Sequence, residues 1–301
     1  MGLDLRGIKI SIIGGDKRDI YLMQDLVKLG ASVTAVGFHP CPELDQVHLV
    51  DKLEAAISKA QVLILPMGGT DLEGNIKTLD PDITLRFSPE IAATIPEGVI
   101  LIIGFARDFV KEWASKYKWK MIEIAEMDLV AILNSVPSAE GAIQMAMERL
   151  PITIHGSNSF VLGFGRLGKT LARMLHGIGA RTTVVARKRP TLARVLEMGY
   201  RPIHLSELHQ FICEADVIFN TIPALILDHK LLSLMNKNTV IIDLASSPGG
   251  TDFTAAKKMG IQATLAPSLP GLVAPKSSGK ILAQVIPQLI LREVPHDIFR
   301  E

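Results

Sequence analysis

The sequence predicts an α/β chain built as two doubly wound domains, each around a parallel sheet. Short, mainly apolar runs recur at residues 8–14, 99–104 and 240–244, and such runs fit buried strands of a parallel sheet. Amphipathic stretches of helical period separate them, and glycines such as Gly30 and Gly179 mark where those stretches stop. A chain of 301 residues with 48% hydrophobic content is long enough to bury two such cores.

The first domain, expected over residues 1–136, opens with a strand at 8–14, a helix over about 16–29 and a strand at 32–36. Further strands are expected at 61–65, 99–104 and 120–124, with helical stretches at 52–59 and 108–116. The domain reads as a flavodoxin-like α/β unit. Gly14-Gly15 resembles a nucleotide loop, but no third glycine follows at the helix-packing position, so a tight turn is expected. The joint reads Asn134-Ser135-Val136-Pro137-Ser138-Ala139-Glu140-Gly141. There Pro137 and the cap candidate Ser138 are expected to open a helix running to about residue 149.

The second domain, expected over residues 137–276, carries the most specific signal. Val161 and Leu162 feed Gly163-Phe164-Gly165-Arg166-Leu167-Gly168, followed by a helix over 169–178 and a strand at 182–186. Gly163 allows the tight turn, Gly165 lets the backbone approach a pyrophosphate, and Gly168 lets the helix pack close on the strand. The first-turn amides, including those of Arg166 and Leu167, then face the phosphates. This is the pattern of a Rossmann dinucleotide-binding domain. Strands at 202–203, 216–220, 240–244 and 262–265 complete its sheet.

The end of the 182–186 strand bears on the choice of cofactor. An NAD site places a carboxylate there to hold the ribose hydroxyls, whereas this chain reads Ala186-Arg187-Lys188-Arg189. A guanidinium binds a 2′-phosphate through paired hydrogen bonds, which favours NADP; the alternative is a solvated basic turn. Thr221, Ile222 and Pro223 after the 216–220 strand, and Leu244 at the end of the 240–244 strand, are expected beside the nicotinamide end. The last helix, over 277–292, carries Ile281, Leu282, Val285, Ile286, Leu289 and Ile290 on one face and is expected to pack back on the first domain. Residues 295–301 read as a frayed tail.

Composition excludes several classes of function. A net charge of +1 gives no basic field for nucleic acid or a lipid surface. Cys41 and Cys213 lie far apart in sequence, which fits buried free thiols in a reducing compartment and gives no metal spacing. The start has no signal-peptide core, and no apolar stretch reaches the roughly 18 residues of a membrane helix. A cytoplasmic protein is expected. No HExxH, paired cysteines or serine-nucleophile elbow occurs, so metal and acyl-transfer chemistry lose support.

Ligands of open α/β sheets sit at the carboxyl ends of strands, and five such segments stand out, the 220–223 passage among them, with the domain joint as a further anion site. Gly69 and Thr70 follow the 61–65 strand, in a turn able to hold a carboxylate or to be an ordinary glycine turn. Arg107 follows the 99–104 strand, as a further cation or an exposed helix-start residue. Asn134 and Ser135 are expected just before a helix N-terminus, where amides and a hydroxyl serve an anion. Asp243 and Ser246 are the catalytic candidates, Asp243 for proton handling or merely for capping its turn. Lys276 and Ser277 open the last helix, where a cation opposes the dipole and so adds to an anion site. Histidine, the usual base of a dehydrogenase, is absent from all five segments although the chain has eight. His229 comes nearest and reads as a surface or packing residue.

Taken in order, Asn134 to Gly141, Asn-Thr-Ile-Pro at 220–223, Asp-Leu-Ala-Ser-Ser-Pro-Gly-Gly-Thr-Asp-Phe at 243–253 and Leu-Pro-Gly-Leu-Val-Ala-Pro-Lys at 269–276 resemble the dipicolinate synthase A-subunit family. The resemblance covers nearly the whole chain. It implies NADP-dependent oxidation of dihydrodipicolinate, derived from 4-hydroxy-tetrahydrodipicolinate of the lysine pathway, to pyridine-2,6-dicarboxylate. It also implies the mother cell of a sporulating bacterium, and as partner a flavoprotein-like B subunit; a homo-oligomer stays open. The substrate's two carboxylates would be gripped by Gly69, Thr70, Asn134 and Ser135 on one side and by Lys276 and Ser277 on the other.

More broadly the fold resembles the 2-hydroxyacid dehydrogenases, which keep an Arg after the fifth strand and a His after the sixth. Here those places read Ser246-Ser247 and Leu269-Pro270-Gly271, so the equipment for a ketone–alcohol reaction is missing. Aromatising a dihydropyridine needs less: a hydride leaves to the nicotinamide, and a ring proton leaves to a modest base or water. Two alternatives remain, a 2-hydroxyacid-dehydrogenase-like NADP oxidoreductase and a non-catalytic NADP-holding subunit that needs the B subunit.

Overall fold

A computed structural model describes residues 3–294, so the expected frayed tail lies outside the described residues. The chain divides into two compact units, one of residues up to Leu133 together with those from Ala274, the other Asn134–Val273. Each has its own six-stranded parallel sheet.

In the first unit the elements run β1 (Lys9–Ile13), α1 (Lys17–Lys28), β2 (Ser32–Val36), β3 (His48–Val50), α2 (Leu53–Ile57) and β4 (Val62–Ile64). They continue with a short antiparallel pair, β5 (Asn75–Ile76) and β6 (Leu85–Arg86), then α3 (Pro89–Thr94), β7 (Ile100–Ile103), α4 (Asp108–Lys116) and β8 (Lys120–Glu123). The sheet order is β3-β2-β1-β4-β7-β8. Without β3 this is the order of flavodoxin-like sheets, and β3 extends the edge by pairing with β2.

Strand β1 shows why the sheet is parallel and interior. Four of its five residues are buried, and successive side chains point to opposite faces. Ile10 and Ile12 join Leu22 and Leu26 of α1, while Ile13 joins Leu63 and Leu101 on the other face. The one polar side chain inside, Ser11, donates to the Ala56 carbonyl at 2.6 Å, which satisfies it. After β1 the chain turns at Gly14-Gly15, and the Gly15 amide donates to the Lys77 carbonyl at 2.7 Å. A donor that a nucleotide loop would offer to phosphate is thus taken by the segment after β5.

The second unit continues α5 (Asp128–Arg149) with β9 (Asn158–Leu162), α6 (Arg166–Ile178), β10 (Arg181–Ala186), α7 (Arg189–Glu197), β11 (Arg201–His204) and α8 (Leu208–Phe211). Then come β12 (Val217–Asn220), α9 (His229–Ser233), β13 (Val240–Asp243), α10 (Phe253–Met259), β14 (Gln262–Leu265) and α11 (Leu269–Val273), before α12 (Pro275–Glu293) rejoins the first unit. The order β11-β10-β9-β12-β13-β14 is the Rossmann order, with the switch point between β9 and β12.

The described structure alters several sequence expectations. No new helix opens at Ser138: α5 runs unbroken from Asp128 to Arg149, with Pro137 inside it. Proline removes one amide donor and crowds the preceding turn, but here the helix tolerates that loss. Ser138 does not cap; its hydroxyl bonds back to the Asn134 carbonyl at 2.8 Å, one turn earlier. Residues 269–273 form a short helix, α11. They pack beside α5, where a Cβ on Gly141 would lie 3.1 Å from Val273 Cγ1. Helix α12 starts at Pro275, two residues before the expected start, since proline suits the first helical turn.

Candidate dinucleotide site and strand-end loops

The turn from β9 into α6 is built for close approach. Gly163 has φ of 96°, a left-handed conformation that glycine adopts without strain, and a Cβ there would lie 2.5 Å from Thr221 Oγ1. A Cβ on Gly168 would fall on the Gly163 carbonyl oxygen, so only glycine lets the helix seat on the strand end. Gly165, the N-cap of α6, differs: its φ is ordinary and a Cβ there would meet nothing within 4 Å. Space is therefore kept in front of that residue, at a helix N-terminus whose amides suit a pyrophosphate. The residues fit a dinucleotide. Arg166 and Leu167 occupy the first turn of α6, because the helix begins three residues earlier than the expected 169.

Thr221 seals the switch point by donating its hydroxyl to the Leu162 carbonyl at 2.8 Å. Ile222 is partly buried and Pro223 exposed beyond it. At the far end of β10, Ala186 is buried while Arg187 and Lys188 are exposed, with Lys188 as the N-cap of α7. His204, paired in register with Ala186, places its Nε2 2.9 Å from the Arg187 carbonyl and so ties the backbone that carries the guanidinium.

Asp243 and Asn220 form a buried polar pair, both 0% exposed. Asn220 Nδ2 donates to Asp243 Oδ1 at 3.1 Å and to the Ile222 carbonyl at 3.1 Å, and Asn220 Oδ1 accepts the Ile222 amide at 3.1 Å. Asp243 also accepts the Ala245 amide at 3.1 Å, the Gly250 amide at 2.8 Å and the Thr251 hydroxyl at 2.6 Å. A carboxylate with so many donors is a clamp for two strand-end loops. Its geometry is that of the capping alternative. Leu244 is partly buried and Ser246 exposed on the loop it holds. The roles of Asn220, Gly250 and Thr251 were not singled out from sequence, although all three lie in the motifs quoted for the resemblance.

The helix-terminus basis for Asn134 and Ser135 does not hold. Both lie inside α5, where amides are committed to the helix. Ser135 is 3% exposed, and its hydroxyl lies 2.6 Å from Thr170 Oγ1 of α6, which fastens two helices of the second unit. Asn134 differs, since its buried Oδ1 has no hydrogen-bond partner.

In the first unit, Gly69 has φ of 64° and a Cβ there would strike the Phe105 carbonyl oxygen. The loops after β4 and β7 therefore touch, and the Arg107 Nε–H donates to the Thr70 carbonyl at 3.2 Å. Thr70 is 3% exposed, with its hydroxyl buried and unpartnered. Lys276 and Ser277 lie exposed in the first turn of α12.

A second charged cluster sits where α1 begins. Asp16 caps the helix and meets the Arg18 guanidinium through two contacts, at 2.9 and 2.8 Å, while Asp19 accepts the Asp16 amide at 2.8 Å to close a capping box. Burial raises the Asp19 carboxyl to about 7, with the Asp16 amide pulling the other way. Burial would also raise Asp16, but the Arg18 guanidinium overrides it and holds that carboxyl below its ordinary value.

Among the described residues no cluster of three or more His, Cys, Asp or Glu suits a metal ion, and no helix is long and apolar enough to cross a membrane. His229 opens α9 and Cys213 is exposed, so the expectation of a buried thiol fails there; Cys41 is partly buried.

Residues 9–125 match the family of the dipicolinate synthase A-subunit N-terminal domain. Residues 130–248 match the D-isomer specific 2-hydroxyacid dehydrogenase NAD-binding domain, so the second unit carries the nicotinamide-dinucleotide domain of an oxidoreductase. The dipicolinate synthase A-subunit of Bacillus subtilis (strain 168) is 39% identical over 292 residues, 95% of this chain and 97% of the relative. The crystal structure of the dipicolinate synthase A-subunit from Bacillus halodurans superposes with a TM-score of 0.90 at 38% identity, covering 95% of this chain and 99% of that one. That of the Bacillus subtilis protein gives 0.86 at 38% identity, covering 97% and 98%. With its motifs, both units and nearly its whole length accounted for, the chain belongs to the dipicolinate synthase A-subunit family.

Proposed function

We propose that this chain oxidises dihydrodipicolinate to pyridine-2,6-dicarboxylate with NADP as hydride acceptor, as the A-subunit of a dipicolinate synthase. The observation that carries this reading is membership of that family together with a glycine turn whose open space lies in front of Gly165. Bound at that turn, NADP supplies the electrophilic ring carbon that accepts hydride.

The chain's own residues then divide the work. Gly163, Gly165 and Gly168, with the first-turn amides of Arg166 and Leu167, hold the pyrophosphate. Arg187 and Lys188 receive the 2′-phosphate in the place where an NAD site carries an acid. Thr221, Ile222, Pro223 and Leu244 border the nicotinamide end. Asp243 holds the loop that carries Ser246, and Ser246 offers the exposed hydroxyl beside the reacting ring. Oxidation removes a hydride and a proton; the proton leaves to water, and the aromatic product drives the step. Gly69, Thr70, Lys276 and Ser277, all of the first unit, bind the dicarboxylate, whereas Ser135 serves packing.

The missing Arg and His of 2-hydroxyacid dehydrogenases argue against keto-acid reduction. Synthesis in the cytoplasm of a sporulating mother cell, in partnership with a flavoprotein-like B subunit, follows from the same family reading. The test is NADPH formation, followed by nicotinamide absorbance, with freshly prepared precursor and the purified chain alone. Turnover is the expected result. Turnover that appears only when B subunit is added would make this chain an NADP-holding subunit.

A further inference from the structure

We propose that Arg107, together with Thr70, whose carbonyl it contacts, receives one carboxylate of the substrate and sets the preference for a dicarboxylate. This deepens the function proposed above and rests on it. Arg107 ends the short loop after β7, as the N-cap of α4, and Thr70 lies in the loop after β4. These are neighbouring strands, and ligands of open sheets gather at such ends.

Arg107 is held by two contacts, neither of them an anion. Its Nε–H donates to the Thr70 carbonyl at 3.2 Å, and its guanidinium carbon lies 5.4 Å from the centroid of the Phe105 ring. Those contacts fix the plane of the group and leave its terminal amino groups to another partner. The neighbouring acid is already engaged: Glu123 Oε2 accepts the Ala106 amide at 3.0 Å, and Oε1 lies 3.1 Å from Lys111 Nζ. Arg107 is half-buried and has no carboxylate partner among the described residues.

Thr70 gives the second, independent observation. It is 3% exposed and its hydroxyl has no partner, although buried polar groups are nearly always satisfied. A guanidinium without an anion and a hydroxyl without an acceptor sit in two residues that touch. A carboxylate supplies what both lack, since its two oxygens accept from the guanidinium fork and from the hydroxyl together.

The experiment compares binding of pyridine-2,6-dicarboxylate and pyridine-2-carboxylate by calorimetry, alongside steady-state kinetics, for the wild type, R107Q, R107K and T70V. The wild type should prefer the dicarboxylate by about tenfold or more, the range of one charge-assisted hydrogen-bonded pair. Arg107→Gln should erase that preference and raise KM with kcat changed far less, and Arg107→Lys should recover part of it. Thr70→Val should raise KM at an unchanged melting temperature, because the hydroxyl makes no bond within the protein. An active wild type whose R107Q variant keeps both its KM and its preference would overturn the inference alone. A wild type that binds neither acid and forms no NADPH would remove the functional reading and the inference with it.

Discussion

Thr251 donates its hydroxyl to Asp243 at 2.6 Å, and both side chains are buried in the second unit. Replacing Thr251 with Val leaves Asp243 one donor short in a site without solvent, which should cost about 1–3 kcal/mol of stability. Thr251→Ser should restore most of it. Chemical denaturation of the three proteins measures the effect, and equal midpoints would mean that this contact holds nothing.

Gly163 and Gly165 should fail in different ways when each is changed to Ala. At Gly163 the left-handed backbone and the nearby Thr221 hydroxyl oppose a side chain, so the fold should lose about 1–3 kcal/mol. At Gly165 the added methyl meets no protein atom within 4 Å, so melting should stay as in the wild type. The same methyl fills the pyrophosphate's space, and NADP affinity should drop at least about tenfold. Titration of each variant with NADP, beside its melting curve, separates the two behaviours.

Arg187→Asp should lower NADP affinity by about ten- to a hundredfold while sparing NAD, since it removes a guanidinium from the 2′-phosphate and adds a carboxylate that suits a free ribose. Paired titrations with the two dinucleotides report it. Undiminished NADP binding removes the assignment.

Stability should fall as pH rises from about 4 to about 7. In that window folded Asp19, raised to about 7, keeps a proton that the unfolded chain has lost, at its ordinary value near 4. Above the window the loss is complete and the curve levels. Asp16, held low beside Arg18, acts at lower pH and with the opposite sign, because its contribution is lost on acidification. Asp19→Asn keeps an oxygen acceptor for the Asp16 amide but cannot titrate, so urea denaturation across this range should show a flatter profile.

What sequence could reveal follows from how local each signal is. Strands such as β1 and β13 and the glycine turn were readable because apolar runs and glycine spacing act within a few residues. The continuity of α5 was not, since Pro137 is the usual mark of a helix start, and whether a helix passes through a proline depends on packing remote in sequence. Ser135 shows the same limit: its contact, Thr170, lies 35 residues away. The quoted motifs contain Asn220, Gly250 and Thr251, yet nothing in their order says that they converge on one carboxylate. Arg107 was visible as a cation, but not its lack of an anion, which only the positions of Glu123 and Lys111 define.

The first unit is completed by the end of the chain. Leu282, Val285 and Ile286 of α12 share one core with Leu22 and Leu26 of α1, and a Cβ on Gly279 would lie 2.7 Å from Tyr21 Cβ and against the Arg18 carbonyl oxygen. During synthesis the dinucleotide domain is therefore whole in sequence before its predecessor is. The ribosome finishes the second unit while α1 still waits for the helix that covers it, so a nascent chain halted before Pro275 carries an uncovered apolar face, the kind of surface that chaperones hold and that aggregation exploits.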